Sequence, residues 1–198
     1  MSLAGLPMDT YRTLLLSCAT TDPLAPAALA LAGVLDQAWQ AHGLTWLPLS
    51  GLDAEPTRLA LLRWFPGADQ RLGLDWSALA QAHRPEPRQD EVDDLLALLR
   101  EHMAPDAGTH SEREAVAYAI ACACLGNNHL WQDLALPSRA ELSALISTWF
   151  PTLAALNHQN MKWKKFLYKQ LCLRHELFIC RAPSCAVCAD QAACFGPE

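Results

Sequence analysis

The chain is poor in the residues that favour β-strands. It contains only four Val and three Ile among 198 residues, whereas Ala and Leu are abundant and 52% of the chain is hydrophobic. Because β-branched residues favour strands while Ala and Leu favour helices, this composition predicts an all-α protein. A chain of this length can bury a substantial core within one domain. We therefore expect a compact multi-helix domain.

Lysine is absent from the first 161 residues, and all four lysines lie within eight positions: Lys162, Lys164, Lys165 and Lys169. Residues 1–160 carry nine basic and eighteen acidic residues, whereas residues 161–198 carry six and three. The overall acidity and the lack of a nucleic-acid recognition motif argue against a nucleic-acid partner. The lysine segment predicts a site for an anion or a partner protein, and a solvated helix face is the alternative.

Long apolar runs, a Gly-rich phosphate loop and an H-E-x-x-H motif are also missing. No stretch has the length of a membrane span, so we expect no membrane partner. Asp9 and Arg12 interrupt the first apolar stretch, which has no basic region before it, so a signal peptide is not expected. These absences predict a cytoplasmic protein. Because no nucleophile–base arrangement stands out, they also predict a carrier and not an enzyme.

Apolar residues recur at helical spacing through most of the chain, with prolines between the segments. The sequences from Ser111 to Glu114 and from Ser138 to Glu141 match the capping box that opens a helix. Two segments end in Trp-Phe-Pro, at 64–66 and 149–151, which we interpret as recurrent packing at helix ends. The predicted helices cover residues 8–18, 25–42, 54–65, 90–103, 111–125, 139–150 and 160–177, with an exposed connector at 84–90.

Four of the eight cysteines crowd the last nineteen residues: Cys180, Cys185, Cys188 and Cys194. Their spacing is C-x4-C-x2-C-x5-C, so four thiolates can converge on one inorganic centre. The two wider gaps suit the corners of an iron–sulfur-type cluster better than one zinc ion, whose sites usually consist of two close pairs. Zinc binding and disulfides remain alternatives, although disulfides are rare in the cytoplasm.

Three further side chains are candidate ligands of this centre. Cys172 and His175 lie near the end of the last predicted helix, and His158 lies before it. Each also fits an ordinary role, as a thiol that packs a helix or as a surface imidazole. Cys122 and Cys124 are two positions apart on a predicted helix, so their side chains diverge and are expected in the core.

Several blocks resemble the NifQ family of nitrogen-fixation proteins. One is the segment from Met161 to Cys172, MKWKKFLYKQLC, together with the cysteine motif that ends in Cys-Phe-Gly. Another is HLWQDLAL at 129–136 with Ser-Arg at 138–139, and a third is Phe-Pro at 150–151 running to Asn157. The resemblance covers residues 110–198, while residues 1–109 match only in general character.

The resemblance implies a molybdenum donor. Proteins of this family are understood to carry a molybdenum–iron–sulfur cluster, formed from an iron–sulfur precursor, and to supply molybdenum for biosynthesis of the nitrogenase iron–molybdenum cofactor. The resemblance implies that the four tail cysteines bind the cluster. It also implies the nitrogenase iron protein and the cofactor-assembly scaffold as partners, and molybdate or another molybdenum source. His129 and Asp133, four positions apart, are separate candidates for a pair that supports the metal ligands or for a molybdate-receiving spot, and a local capping and packing role is the alternative.

We accordingly divide the chain into a helical domain, residues 1–178, and a cysteine tail, residues 179–198. Two other functions remain open. One is a zinc-stabilised helical adaptor that docks a partner through its basic helix, and the other is an iron–sulfur electron-transfer protein. Molybdenum with iron, zinc alone, or iron alone in the purified protein would distinguish the three functions.

Overall fold

The structure, a computed structural model, describes residues 10–20, 22, 25–49, 52–82, 86–175 and 191–196. These residues form helices and no strand, which confirms the predicted all-α class. No described helix is both long enough and apolar enough to cross a membrane. The helices are α1 (Thr10–Ser17), α2 (Pro26–His42), α3 (Ala54–Trp64), α4 (Ala68–Leu72), α5 (Trp76–Gln81), α6 (Gln89–Glu101), α7 (His110–Cys124), α8 (Leu130–Asp133), α9 (Arg139–Trp149), α10 (Pro151–Leu156), α11 (Trp163–Arg174) and α12 (Gln191–Phe195).

Helix α2 lies at the centre of the fold. Its residues 27–36 are all buried, so the helix has no solvent-facing side over this stretch. A helix that is apolar on all sides is expected to be enclosed by others, and α2 packs against α1, α7 and α9. Asp36 is its buried carboxylate, and it accepts a hydrogen bond from the backbone N–H of Arg12 at 3.1 Å. Helix α1 is thereby fixed to the central helix.

Gly33 allows the loop between α8 and α9 to lie directly on α2. A Cβ atom at this position would lie 2.6 Å from both the Leu134 carbonyl oxygen and the Ala135 Cβ, closer than real contacts allow. Ala135 has a φ of +51°, in the left-handed region. Its carbonyl oxygen accepts a hydrogen bond from Arg12 Nη2 at 2.8 Å. The end of α8 is therefore held between α1 and α2.

The two Trp-Phe-Pro sequences end α3 and α9 in the same conformation. Phe65 has φ −136° and ψ 63°, Phe150 has φ −138° and ψ 57°, and both side chains are buried. The indole rings of Trp64 and Trp149 pack against each other with centroids 5.9 Å apart. The backbone carbonyl oxygen of Trp64 accepts a hydrogen bond from the Thr20 N–H at 3.2 Å, and that of Trp149 accepts one from the Ala104 N–H at 2.9 Å. The interpretation as recurrent helix-end packing is confirmed, and the two ends lie side by side.

The N-cap of helix α7 lies two residues before the predicted one. The prediction that Ser111 and Glu114 form its capping box is wrong, because Thr109 and Glu112 form it. The Glu112 N–H donates to Thr109 Oγ1 at 3.3 Å, and the Thr109 N–H donates to Glu112 Oε2 at 2.7 Å. Gly108, with a φ of +65°, turns the chain directly before the cap, so the helix starts earlier than the S-x-x-E pattern indicates.

Acid is expected to weaken the start of α7. Burial disfavours the charged form of Glu112, but hydrogen bonds from Thr109 and the charge of Arg63 outweigh it and lower the pKa of this carboxyl group. A lowered pKa stabilises the fold above the unfolded value of about 4.3, and this contribution is lost as the pH falls through the folded value. Glu112→Gln should therefore cost about 1 kcal/mol of unfolding free energy at neutral pH and much less at about pH 3.

Urea denaturation at the two pH values measures this difference. Asp106→Asn, at an exposed position in the preceding loop, is the control for loss of a carboxylate. An equal cost of Glu112→Gln at both pH values would contradict the assignment.

Five short helices were not expected from the sequence: α4, α5, α8, α10 and α12. They have four to six residues, too few for a helical period to show. Helix α9 ends at Trp149, before the proline of its Trp-Phe-Pro sequence, and Pro151 is then the first residue of α10, a position where the missing N–H costs no helical hydrogen bond. Of the capping box predicted at Ser138 and Glu141, the structure shows the Ser138 half, in which Oγ accepts from the Glu141 N–H at 3.4 Å.

Candidate metal and anion site

The end of the cysteine tail meets the helical body beside α11. Cys180, Cys185 and Cys188 lie outside the described residues, whereas Cys194 lies on α12. The Cys194 carbonyl oxygen accepts a hydrogen bond from the Lys162 N–H at 2.8 Å. The Cys194 side chain is half-buried against the core. The last cysteine of the motif is therefore held next to the residue that precedes α11.

All five cysteines that the structure describes are free thiols. Cys124 is 2% exposed, and burial raises the pKa of this thiol to about 12, so it stays protonated at neutral pH. This confirms the prediction that Cys124 belongs to the core. Cys122 is half-buried and packs against the core. Within the described part of the chain, no three His, Cys, Asp or Glu side chains are grouped to hold a metal ion.

The loop before α11 fixes the position of Lys162. Buried Asn157 donates from Nδ2 to the Met161 carbonyl oxygen at 2.9 Å and accepts from the Met161 N–H at 2.9 Å. Arg139 Nη2 donates to the carbonyl oxygens of Asn160 and Met161, each at 3.0 Å. Asn160 has a φ of +56°, which Asn tolerates better than most residues. Arg139 and Asn157, which lie in two of the resembling blocks, thus build the entry to α11.

An ion pair holds α11 to α8, and a hydrogen bond holds it to the loop after α7. Lys164 Nζ lies 2.5 Å from Asp133 Oδ2 and donates to the Gly126 carbonyl oxygen at 3.0 Å. Asp133 is buried and also accepts from the backbone and side-chain N–H groups of Asn128, at 3.1 and 3.0 Å. A Cβ atom at Gly126 would lie 2.5 Å from the Asp133 carboxyl carbon, so this glycine permits the close approach. The contacts support a local structural role for Asp133 instead of a shared site with His129.

Beside these contacts lies a cavity of about 310 Å³, which we call the lysine pocket. Lys162, Lys164 and Lys165 line it, whereas exposed Lys169 is not among the described lining residues. The other described residues that line it are Asn127, Asn128, His129, Leu130, Tyr168 and Ala193. Because Ala193 precedes Cys194 on α12, the pocket and the end of the cysteine tail share a wall. The sequence indicates the lysines, but nothing in it places Asn127 beside them.

Tyr168 forms another wall of the lysine pocket and ties α11 to α6. Its hydroxyl group donates to Glu91 and lies 3.3 Å from the Cys124 carbonyl oxygen. Burial and the hydrogen bond to Glu91 both raise the pKa of Tyr168, so the phenol is protonated at neutral pH. Glu91 also pairs with Arg88 at 2.6 Å. The Tyr168 hydroxyl therefore forms its hydrogen bonds within the fold. The aromatic ring is the part of the residue that serves as a wall of the lysine pocket.

The other candidate ligands lie outside the described lining of the lysine pocket. His175 Nε2 lies 3.5 Å from Asp94 Oδ2, between two partly exposed side chains. His158 is exposed, with Nδ1 3.2 Å from the Leu156 carbonyl oxygen. Cys172 is a half-buried free thiol. A ligand role for Cys172, His175 or His158 stays a prediction, as does the metal-binding role of the four tail cysteines.

Comparison with known proteins identifies the family. The NifQ family model matches residues 30–196. Protein NifQ of Azotobacter vinelandii is 38% identical over 166 residues, which cover 80% of this chain and 84% of the relative. Protein NifQ of Klebsiella pneumoniae is 48% identical over 109 residues, 54% of this chain and 62% of the relative. Protein NifQ of Rhodobacter capsulatus is 39% identical over 117 residues, which cover 58% of this chain and 62% of the relative.

No solved structure matches the chain. The family match extends through α11 and α12 and includes all four tail cysteines. It also includes the residues that build the entry to α11, Arg139 and Asn157. On this match, and on the similarity to the Azotobacter vinelandii protein over most of both chains, the chain belongs to the NifQ family.

Proposed function

We propose that the protein carries a molybdenum–iron–sulfur cluster on Cys180, Cys185, Cys188 and Cys194 and donates molybdenum for biosynthesis of the nitrogenase iron–molybdenum cofactor. Membership of the NifQ family supports a role in nitrogen fixation. The observation that carries the finer proposal is that the family match runs to residue 196 and so spans the whole C-x4-C-x2-C-x5-C motif.

The donor set fits such a cargo. Thiolates are the usual ligands of iron–sulfur clusters, and soft sulfur ligands suit the metals concerned. The one tail cysteine that the structure describes, Cys194, is a free thiol and is only half-buried. A ligand at this depth can reach an inorganic centre without unfolding the helical body. That accessibility is what a carrier needs, because its cargo must enter and leave.

The charges around Cys194 also favour this cargo. A cluster held by four thiolates is negatively charged overall. Lys162 lies against the Cys194 backbone, and Lys164 and Lys165 follow on the same helix. Positive charge within a Debye length, about 8–10 Å, lowers the electrostatic cost of assembling such an anion. The acidic balance of residues 1–160 makes this basic region distinct from the rest of the chain.

We propose a carrier and not an enzyme, with the nitrogenase iron protein and the cofactor-assembly scaffold as the proteins that receive or supply the cargo. Binding and release of a preformed cluster need only ligands, positioning and a recognisable surface. The basic α11 offers such a surface, since Lys165 and Lys169 are exposed.

Metal analysis tests the proposal directly. The full chain is expressed anaerobically with molybdate and purified without air, and its iron, molybdenum and zinc are measured by mass spectrometry. We expect iron and molybdenum together, with sulfur-to-iron absorption in the visible spectrum. Changing all four tail cysteines to serine should lower both metals at least about tenfold, since even loss of an outer hydrogen bond to a metal ligand costs that much.

Cys18→Ser is the matched control, because it replaces a half-buried free thiol that lies outside the motif. This variant should retain the metals and should still supply molybdenum in cofactor assembly in vitro. Zinc alone in the wild-type protein would instead support the helical adaptor. Iron without molybdenum would support electron transfer, and either result would end the donor proposal.

A further inference from the structure

We propose that the lysine pocket binds a tetrahedral oxyanion dianion, the chemical class that includes molybdate, beside the cysteine tail. The identification of the physiological anion as molybdate rests on the proposed function, whereas the binding of an oxyanion rests on the pocket itself. The proposal concerns binding only, and the metal does not change its oxidation state in this step.

The first argument is an imbalance of charge. Lys162, Lys164 and Lys165 lie at the start of α11, and the first turn of this helix carries no acidic residue. The N-terminal end of a helix is its positive end, where anions are favoured and cations are not. Lys162 and Lys165 at this end therefore repel each other and the helix dipole, whereas the charge of Lys164 is offset by Asp133. An anion held between them would relieve this repulsion.

The second argument is that two of these three cations are not neutralised. Lys164 is paired with Asp133, and its side chain is only 18% exposed. Lys162 and Lys165 form no ion pair with any residue that the structure describes. None of the described residues that line the pocket is acidic. These two ammonium groups, which have no counter-charge among the described residues, match the two charges of a dianion.

The shape of the pocket favours a small anion over an acidic surface of a partner protein. A protein surface would dock on exposed, spread-out lysines, whereas these three, of which only Lys165 is exposed, line one cavity of about 310 Å³. This volume lies at the lower end of the range for small-molecule sites, about 300–1,000 Å³, and leaves room for bridging waters. Asn127 adds an amide at the rim, and Leu130 and the Tyr168 ring provide apolar walls that limit solvation of the ion.

The lysine pocket lies directly beside the last cysteine of the motif, and this position indicates its function. Ala193 lines it, and the next residue, Cys194, accepts the hydrogen bond from the Lys162 N–H. An anion bound there would lie next to the last ligand of the proposed cluster. The pocket would therefore hold the oxyanion beside the last thiol of the cysteine motif.

The experiment measures binding of sodium molybdate to the full chain by isothermal titration calorimetry, in a buffer without other dianions. Sulfate is the second dianion and nitrate the monoanion for comparison. We expect molybdate and sulfate to bind and nitrate to bind far more weakly. The variant with Lys162→Gln and Lys165→Gln should bind molybdate at least about tenfold more weakly, because two charge-assisted contacts are lost.

Lys169→Gln is the matched control, since it removes the same charge from the same helix at an exposed position away from the described pocket lining. It should change the dissociation constant less than about twofold, as expected for an exposed charge. The double lysine variant should be at least as stable as the wild type without molybdate, because it removes charge from the positive end of α11. Molybdate should raise the melting temperature of the wild type and not that of the double variant.

A further variant separates this inference from the proposed function. With all four tail cysteines changed to serine, molybdate binding should persist, although cluster loading is lost. If the wild type loads molybdenum with iron but binds no free molybdate, or if the lysine substitutions leave binding unchanged, the inference fails and the donor proposal stands. If molybdate binds through the lysines but no molybdenum is retained with iron, the pocket stands and the donor proposal fails. Lysine variants that bind molybdate normally but lose a protein partner would show a docking surface and overturn the inference.

Discussion

Replacing Asp133 by Asn is expected to lower the free energy of unfolding by about 2–3 kcal/mol, because it leaves a largely buried Lys164 without its counter-charge. The carboxylate accepts from Lys164 at 2.5 Å and from both N–H groups of Asn128 at 3.0–3.1 Å. An asparagine keeps the shape but turns an NH₂ group toward donors. Urea denaturation followed by circular dichroism measures the loss.

A second substitution separates the effect of the unpaired Lys164 charge from the effect of the changed side chain at position 133. Lys164→Met removes the unpaired ammonium, so the double variant with Asp133→Asn should recover about half of the loss. Glu55→Gln is the matched control, because the Glu55–Arg58 pair is equally short at 2.6 Å but exposed, and its removal should leave stability nearly unchanged. If Asp133→Asn were as stable as the wild type, Asp133 would not be the anchor of α11.

Gly33→Ala should destabilise the protein by about 2 kcal/mol, although the same change within most helices stabilises by roughly 0.5–1 kcal/mol. The sign is reversed because the added methyl group would lie 2.6 Å from the Leu134 carbonyl oxygen and from the Ala135 Cβ. The loop after α8 would then have to leave α2. The midpoint of urea denaturation checks the direction as well as the size of the effect.

Two further variants test whether the clash between α2 and the loop after α8 causes this loss of stability. Gln37→Ala, at an exposed position one turn later on α2, controls for helix propensity and should change stability little, because it removes only a long, exposed hydrogen bond to the Gln132 carbonyl oxygen at 3.5 Å. Ala135→Gly should be tolerated because Ala135 has a φ of +51°. Combined with Gly33→Ala, it should reduce the cost by removing one of the two clashing atoms. A stabilising Gly33→Ala would show that the loop does not lie on α2.

The sequence predicts the long helices well because their signals are local. Proline positions and apolar spacing place α2 and α3 within one residue of their observed bounds. The start of α7 was missed since two overlapping capping patterns exist, and only the turn at Gly108 decides between them. The short helices have too few residues to show a helical period, and some of them also depend on tertiary contacts. An example is α8, which ends where the following loop packs on Gly33.

The candidate site was predictable in its residue types but not in its arrangement. The lysine segment is visible as a run of charge, yet nothing local shows that Lys164 pairs with Asp133, thirty-one positions earlier. Nor does the sequence show that Asn127 lines a cavity with Lys162 and Lys165. Such placement depends on how α11 packs against α6 and α8, which spacing along the chain does not encode.

The meeting of the two Trp-Phe-Pro helix ends gives the molecule an internal optical reporter. Trp64 and Trp149 are eighty-five positions apart in sequence, but their rings lie 5.9 Å apart. Indoles at this separation exchange excitation energy, so their emission and near-ultraviolet ellipticity depend on how the ends of α3 and α9 meet. Separation of these two helices would therefore change the spectrum of the unlabelled protein.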